Sequence, residues 1–171
     1  MTDAQEVDLS SSVMPSVTIY SDGSYKPALG TGGYGSIMTC NGYSKFFYGG
    51  FVGVSNNAME LLAVIEPLRC LDRPCRVTII SDSQYVVNGI NSWLLGWIAN
   101  DWRKADGGVI SNSELWKEIY NFTQTHLISA VWVKGHSDNF SNAVCDHLAC
   151  IGSYKSAGAA IPQHLISANR W

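Results

Sequence analysis

The chain of 171 residues is 46% hydrophobic and 15% charged, which predicts one globular domain with a substantial core and excludes a disordered polypeptide. Its 11 basic and 14 acidic residues give a net charge of −3, which argues against a large basic surface but not against a local one. No apolar run approaches the roughly 20 residues of a membrane helix, so no membrane partner is expected.

The chain begins with a polar segment, residues 1–16, that lacks the basic and apolar regions of a signal peptide and is expected to be a flexible tail. The sequence VTIYSDGS follows, and its first four residues have the β-branched and aromatic character of a buried strand. Asp22 comes next and is either an Asx-turn residue or a ligand at the strand end. Residues 77–83 repeat the pattern as VTIISDS. Two strands that each deliver a carboxylate at the same end predict a shared site.

Residues 30–35 read GTGGYG, which has the spacing of a dinucleotide-binding loop. That loop must open a helix, whereas the strand-like sequence YGSIMTC follows here, so this interpretation is rejected. Residues 43–51 form another strand candidate, and Asn41-Gly42 before it is a strong hairpin signal. The first three strands are therefore predicted to form an antiparallel meander, joined by a Gly-rich turn.

Leucine and isoleucine side chains recur at helical spacing within residues 56–70, which predicts an amphipathic helix. Asn56 or Asn57 is a plausible N-cap. With Asn57 as the cap, Glu60 takes the position of a capping-box glutamate, so a structural role for Glu60 stays open at this point. Pro67 is expected to bend or end the helix.

The second half of the chain alternates strands with helices. Strands are predicted at residues 76–80 and 128–133, and helices at residues 83–90, from Ser113 onward and at residues 139–153. Three tryptophans occupy a loop-like stretch in between, where they are either ordinary core or a surface that stacks on bases or sugars: Trp93, Trp97 and Trp102. This element order predicts a mixed α/β sheet with helices on its faces.

Five cysteines are present, an odd number that requires no oxidising compartment. A zinc site would pair Cys70 and Cys75 with Cys145 and Cys150, but a five-residue step on a helix rotates by about 140°, so Cys145 and Cys150 would face apart. Reduced thiols and a cytoplasmic location are expected.

The remaining candidate residues are acidic, and they stand at strand ends or on helices that pack beside the sheet: Asp22, Glu60, Asp82 and Asp146. Clustered carboxylates repel one another and raise each other's pKa unless cations neutralise them. Oxygen-only ligands suit Mg²⁺ or Mn²⁺ better than zinc. Two such ions about 4 Å apart stabilise the attacking and leaving oxygens of a phosphodiester displacement.

The ordered set of motifs SDGS, GGYG, NNAMELLA, SDSQYVVNGI, WVKGH and CDHLA resembles the type 1 ribonuclease H family, close to its bacterial branch. The resemblance covers residues 17–154, which are expected to be the catalytic domain, with residues 155–171 as a C-terminal tail. It implies a ribonuclease H-like α/β fold with a five-stranded mixed sheet, three antiparallel strands and then two parallel ones. It also implies endonucleolytic hydrolysis of the RNA strand of an RNA–DNA hybrid, leaving 3′-hydroxyl and 5′-phosphate ends.

The resemblance also assigns roles to residues. The four acids are expected to hold two Mg²⁺ ions, for which Mn²⁺ can substitute, and Glu60 is expected to lie near the 2′-hydroxyl that distinguishes RNA from DNA. His136 corresponds to a flexible-loop histidine that handles protons or product release. The positions that match substrate-binding residues of the family are Gly23, Ser55, Asn56, Asn57, Gln84, Trp93, Trp97 and Asn112. The enzyme is expected to act as a monomer on its hybrid substrate.

Three departures from the family pattern are expected to weaken the attraction between the protein and the nucleic-acid substrate. Ala28 replaces a polar hybrid contact, and Gly53 stands where an arginine is common. The substrate-binding protrusion, residues 96–112, holds only two cations, offset by two acids. Without the three acids of residues 1–16 the body of the chain is neutral.

Three other functions share parts of this pattern. A DNA-cutting or joining relative, such as a transposase, integrase or Holliday-junction resolvase, has clustered acids but generally lacks NNAMEL and WVKGH together. A hybrid-binding module without catalysis is disfavoured because all four acids and the histidine are present. A retroelement polymerase fragment would need a polymerase domain upstream, where only a short tail is expected.

Overall fold

A computed structural model describes residues 13–135 and 139–167. The strands are β1 (Ser16–Lys26), β2 (Thr31–Cys40), β3 (Tyr43–Val52), β4 (Arg76–Ser81) and β5 (Leu127–Trp132). The helices are α1 (Asn56–Leu68), α2 (Gln84–Asn88), a π-helical turn (Gly89–Trp93), α3 (Leu94–Ala99), α4 (Ser113–Thr123), α5 (Phe140–Ser156) and α6 (Gln163–Ser167). Among these helices none is both long and apolar enough to span a membrane.

The five strands form one sheet in the order β3-β2-β1-β4-β5. Strands β1, β2 and β3 pair antiparallel, whereas β1 pairs with β4 and β4 with β5 in parallel. The predicted mixed sheet is therefore confirmed. The predicted hairpin turn is also confirmed, because Asn41 and Gly42 have φ values of 50° and 79°, as two-residue hairpin turns require.

Helices cover both faces of the sheet. The main core lies between the sheet and the helices that include α1 and α4, and its fully buried members include Ile19, Leu61, Ile79 and Trp116. Helix α5 packs on the opposite face against β2, where a Cβ at Gly33 would stand 1.9 Å from a backbone oxygen of α5. The glycine-rich run is thus a strand over which a helix passes closely, and the predicted Gly-rich turn at this place was wrong.

Strand β1 differs from its prediction in a way that affects the site. It continues to Lys26, so Asp22 lies inside the strand, opposite Gly35 of β2, and does not end it. Antiparallel pairing with β2 provides the hydrogen bonds that carry β1 past its Gly-Ser pair. Only the parallel pairing with β4 stops beside the acid, at Ser21 opposite Ser81.

Two further local predictions were wrong. Ser55, not Asn56 or Asn57, is the N-cap of α1, since its Oγ accepts a hydrogen bond from the Ala58 N–H. The tryptophan-rich stretch is helical from residue 89 to residue 99, through the π-helical turn and α3. The segment predicted as a C-terminal tail, residues 155–171, contains the end of α5 and helix α6.

Candidate active site

Two aspartates stand side by side because their strands are parallel neighbours. The β1–β4 ladder ends at the pair Ser21–Ser81, and Asp22 and Asp82 are the next residues of their strands. Since parallel strands run in the same direction, both carboxylates lie at the same end of the ladder. The shared site predicted from the repeated strand motif is thereby formed.

The third acid comes from a helix that packs beside this end of the ladder. Glu60 is in the second turn of α1 and only 5% exposed. The main chain of α1 approaches β1 so closely that a Cβ at Gly23 would lie 2.7 Å from the Glu60 backbone nitrogen. Gly23 therefore has a steric role in bringing Glu60 to Asp22, besides the substrate contact that the resemblance implies.

Ligand oxygens of Asp22, Glu60 and Asp82 all lie within 4.8 Å of one another. The fourth acid, Asp146, is exposed on α5 and is not part of this tight group. Its negative charge nevertheless acts on Asp22 and Glu60. The structure thus brings three of the predicted acids together and places the fourth at the rim.

Burial and mutual repulsion oppose ionisation of the cluster. Desolvation, reinforced by the charges of Asp82 and Asp146, raises the pKa of Asp22 to about 8. Desolvation, followed by the charge of Asp22, raises the pKa of Glu60 to about 9. The Gly23 N–H, which donates to Asp22 Oδ1 at 2.8 Å, lowers both pKa values but does not outweigh burial.

One oxygen of the cluster supports a bound cation. Glu60 Oε2 is buried and accepts no hydrogen bond from any residue that the structure describes, a state that costs free energy and calls for a partner. Three clustered carboxylates with an orphaned oxygen and no sulfur or imidazole ligand fit a hard divalent cation. A capping-box role for Glu60 is excluded, because the position three residues after the Ser55 cap is Ala58.

The candidate substrate-binding residues near α1 and α2 are exposed, as a surface contact requires. Asn56, Asn57 and Gln84 open these helices with solvent-accessible side chains. Ser55 is also exposed, but its hydroxyl already caps α1. His136, the candidate proton-handling residue, lies outside the described residues.

The candidate residues Trp93, Trp97 and Asn112 meet around Tyr85. Trp93 and Trp97 have ring centroids 5.7 Å apart, and Trp93 is 38% exposed. The Tyr85 hydroxyl accepts hydrogen bonds from Asn112 Nδ2 at 3.2 Å and from the Trp116 indole at 2.9 Å. The tryptophans are thus partly core and partly surface. Sequence reasoning missed Tyr85, since its partners lie 27 and 31 residues away and no local pattern marks them.

Sequence comparison places the chain among known nucleases. Residues 14–154 match the family model described as RNase H. A ribonuclease H of Ralstonia nicotianae is 46% identical over 136 residues, which cover 80% of this chain and 90% of the relative. A ribonuclease H of Cupriavidus necator is also 46% identical, over 80% of this chain and 94% of the relative.

Structure comparison points to the same fold. The crystal structure of LC9-RNase H1, described as a type 1 RNase H with the type 2 active-site motif, superposes with a TM-score of 0.76. The match covers 93% of this chain and 82% of that chain, at 24% sequence identity. The overall architecture is therefore shared even where the sequences have diverged.

Proposed function

We propose that this chain, which belongs to the RNase H family, hydrolyses the RNA strand of RNA–DNA hybrids at the acidic cluster around Asp22. The P–O3′ bond breaks and a bond from phosphorus to a water oxygen forms, which leaves 3′-hydroxyl and 5′-phosphate ends. The family uses divalent metal ions, and we propose Mg²⁺ as the ion, in two sites, with Mn²⁺ able to substitute.

The observation that carries this proposal is the convergence of three carboxylates from two strands and a helix within 4.8 Å. The ionised form of such a group is unfavourable in a folded protein unless a cation neutralises it, because repulsion and desolvation act in the same direction. Asp22, Glu60 and Asp82 would hold the cations, and we propose that Asp146 completes the ligand set from α5.

When bound, the cations neutralise charge on the phosphate and activate water for the displacement. The chain itself supplies the alignment. The β1–β4 ladder holds Asp22 and Asp82 in register, and α1 presents Glu60 from the side. Glu60 is also the residue that we place nearest the RNA 2′-hydroxyl, the group that is absent from DNA.

Substrate binding is proposed for the polar residues around the site and for the aromatic cluster. The exposed face of Trp93, beside Trp97, offers a stacking or packing surface to the DNA strand. Asn56, Asn57 and Gln84 offer amides to the minor groove, Gly23 lets the backbone approach, and Ser55 and Asn112 are proposed at a DNA phosphate. His136 is proposed for proton transfer or product release.

We further propose that the enzyme is a cytoplasmic monomer. Support for a reducing compartment comes from the five cysteines, all of which are free thiols, as in most cytosolic proteins. Sedimentation analysis at micromolar concentration tests the monomer, and a dimer that persists on dilution would contradict it.

The function is tested with end-labelled RNA–DNA hybrid, double-stranded RNA and double-stranded DNA of one sequence, each with Mg²⁺ and with a chelator. We expect cleavage of the hybrid alone, only with the metal, and products with 5′-phosphate ends. Asp22→Asn is the matched control because the amide keeps the shape of the side chain but loses its charge. It is expected to keep the fold and to lose cleavage by several orders of magnitude, since one charged ligand of the metal clamp is gone.

Equal cleavage of double-stranded DNA would contradict hybrid specificity and favour a DNA-cutting relative. Wild-type turnover by purified, folded Asp22→Asn would contradict the assignment of the site. Hybrid binding without cleavage by the wild type would leave only a binding module.

A further inference from the structure

We infer that Gly135 and Trp132, where the chain leaves β5, are positioning residues that hold the Asp82 carboxylate in its metal-binding orientation. This inference rests on the proposed metal site and extends it to residues that do not themselves bind an ion. Two independent contacts carry it, one to the side chain of Asp82 and one to its main chain.

The first contact is a close approach of Gly135 to the carboxylate. A Cβ at this position would stand 2.8 Å from Asp82 Oδ2 and 3.6 Å from Asp82 Cγ. Real Cβ atoms do not come so close to an oxygen, so any side chain at residue 135 would displace something. The atom that it meets is the outermost oxygen of a short side chain, and a side chain can rotate where the backbone of the strand cannot, so the carboxylate is the group that is displaced.

Backbone conformation does not account for this glycine. The glycines with positive φ, where other residues are strained, are Gly30, Gly42, Gly53, Gly107 and Gly158. Gly135 is not among them, so a left-handed backbone is not what requires glycine here. What alanine cannot do is leave room for Asp82 Oδ2, and the glycine is therefore explained by the carboxylate beside it.

The second contact is a hydrogen bond from Trp132. Its indole Nε1–H donates to the Asp82 carbonyl oxygen at 3.0 Å, although the ring is half exposed. The neighbouring main chain is also bonded, because the Val133 N–H donates to the Ser81 carbonyl at 3.0 Å. The Ser81 hydroxyl accepts from the Ser83 N–H on the far side of Asp82. The main chain that carries Asp82 is thus held from both sides.

These contacts matter because the three carboxylates of the cluster lie close together. The Asp82 carboxylate can share a cation with Asp22 and Glu60 in only a few of its orientations. Partners that orient a ligand commonly change metal affinity by about 10- to 100-fold when they are removed. Moving Asp82 Oδ2 away from Gly135 should therefore weaken metal binding without unfolding the protein.

The experiment measures Mn²⁺ binding to the wild type, Gly135→Ala and Trp132→Phe by isothermal titration calorimetry, without nucleic acid. We expect the dissociation constant of Gly135→Ala to rise by about 10- to 100-fold and its metal-free melting temperature to stay at the wild-type value. Trp132→Phe keeps a large ring but loses the N–H, and it is expected to weaken Mn²⁺ binding in the same direction. Hybrid cleavage by Gly135→Ala should recover when the metal concentration is raised.

Gly96→Ala is the matched control for the substitution. A Cβ at Gly96 meets nothing within 4 Å and its φ is not positive, so its Mn²⁺ affinity should equal that of the wild type. Equal Mn²⁺ affinity in wild type, Gly135→Ala and Trp132→Phe would overturn this inference but leave the proposed metal site intact. Absence of Mn²⁺ binding by the wild type would overturn the proposed metal site and the inference with it.

Discussion

The two buried acids, Asp22 and Glu60, are 6% and 5% exposed, and no basic side chain is hydrogen-bonded to either within the described residues. Such carboxyls destabilise a fold when they ionise. A bound cation explains why carboxyl groups occupy these buried positions, because only the charged form of a carboxyl group is a metal ligand. Stability and metal binding should therefore depend on pH in opposite directions.

The first prediction concerns the pH dependence of stability without metal. The folded-state pKa values of about 8 for Asp22 and about 9 for Glu60 exceed the ordinary values of 3.8 and 4.5. Between these limits the folded chain holds protons that the unfolded chain has released, so the free energy of unfolding should fall as pH rises from about 4 to about 9. Urea denaturation in a chelator at several pH values measures this.

Asp22→Asn and Glu60→Gln separate the two contributions, since each should make the decline with pH shallower. Saturating Mg²⁺ should stabilise the wild type most at high pH, where the ligands are ionised. A free energy of unfolding that rises with pH across this range in the chelator would contradict the raised pKa values. A decline with pH that is as steep in both variants as in the wild type would contradict them too.

At the scale of elements, the Asn91 side chain pairs with the outer edge of β5. Strand β5 is the last strand of the sheet, and an open edge is a site for unwanted pairing. Asn91, in the π-helical turn, donates from Nδ2 to the Ala130 carbonyl at 2.8 Å and accepts at Oδ1 from the Ala130 N–H at 3.1 Å. Its amide therefore satisfies both main-chain groups of one residue on this edge and ties the π-helical turn to the sheet.

The second prediction is that Asn91→Ala destabilises the protein by about 1–3 kcal/mol, because two hydrogen bonds worth about 0.5–1.5 kcal/mol each are lost. Both bonds are made to Ala130, which is buried. Asn88→Ala is the control, because Asn88 is exposed in the preceding helical turn and makes no side-chain cap bond. Urea midpoints of the two variants measure the difference, and equal midpoints would show that the Asn91 amide contributes nothing.

At the scale of the whole molecule, the net charge predicts only weak electrostatic attraction for nucleic acid. The chain carries 11 basic and 14 acidic residues, whereas phosphate contacts by Lys and Arg dominate the affinity of most nucleic-acid-binding proteins. Gly53, which replaces a common arginine of the family, has a φ of 71°, so an arginine at this position would be strained. We therefore expect polar and aromatic contacts to carry more of the recognition.

The third prediction is that adding cations to the protrusion lowers KM and steepens its salt dependence. Ala99 and Ala105 are both exposed within residues 96–112, so Ala99→Lys with Ala105→Lys adds two charges to the protrusion without disturbing the core. The plot of log K against log salt should steepen by about 0.9 for each phosphate that is newly contacted. The value of kcat should change little, because the attraction acts on bound substrate and transition state alike.

Asp72→Lys is the matched control, since it also raises the net charge by two. Asp72 precedes β4, whereas Asp82 of the acidic cluster follows that strand at its other end. The ion pair of Asp72 with Arg73 is exposed and worth little. KM at several salt concentrations is the measurement. Equal slopes for the two charge-added proteins would show that residues 96–112 do not touch the substrate.

The sequence by itself predicted the five strands, helices α1, α4 and α5 and the mixed sheet, because these depend on local hydrophobic periodicity and on the repeated strand motif. It did not predict α3 or α6. It also pointed to the acids, since Asp22 and Asp82 follow equivalent apolar runs on strands predicted in one sheet. Residue roles beyond that came from resemblance, not from local pattern.

Only the tertiary structure decided how the site is assembled. Asp22 lies inside β1 because β2 pairs with the strand beyond it. Glu60 joins the acidic cluster because α1 brings its carboxylate within 4.8 Å of the other two ligand oxygens, and its Oε2 has no hydrogen-bond partner among the described residues. The role of Gly135 exists only because Asp82, 53 residues earlier, lies 2.8 Å from where its Cβ would be. These features depend on contacts between residues distant in sequence, which no local pattern of side chains records.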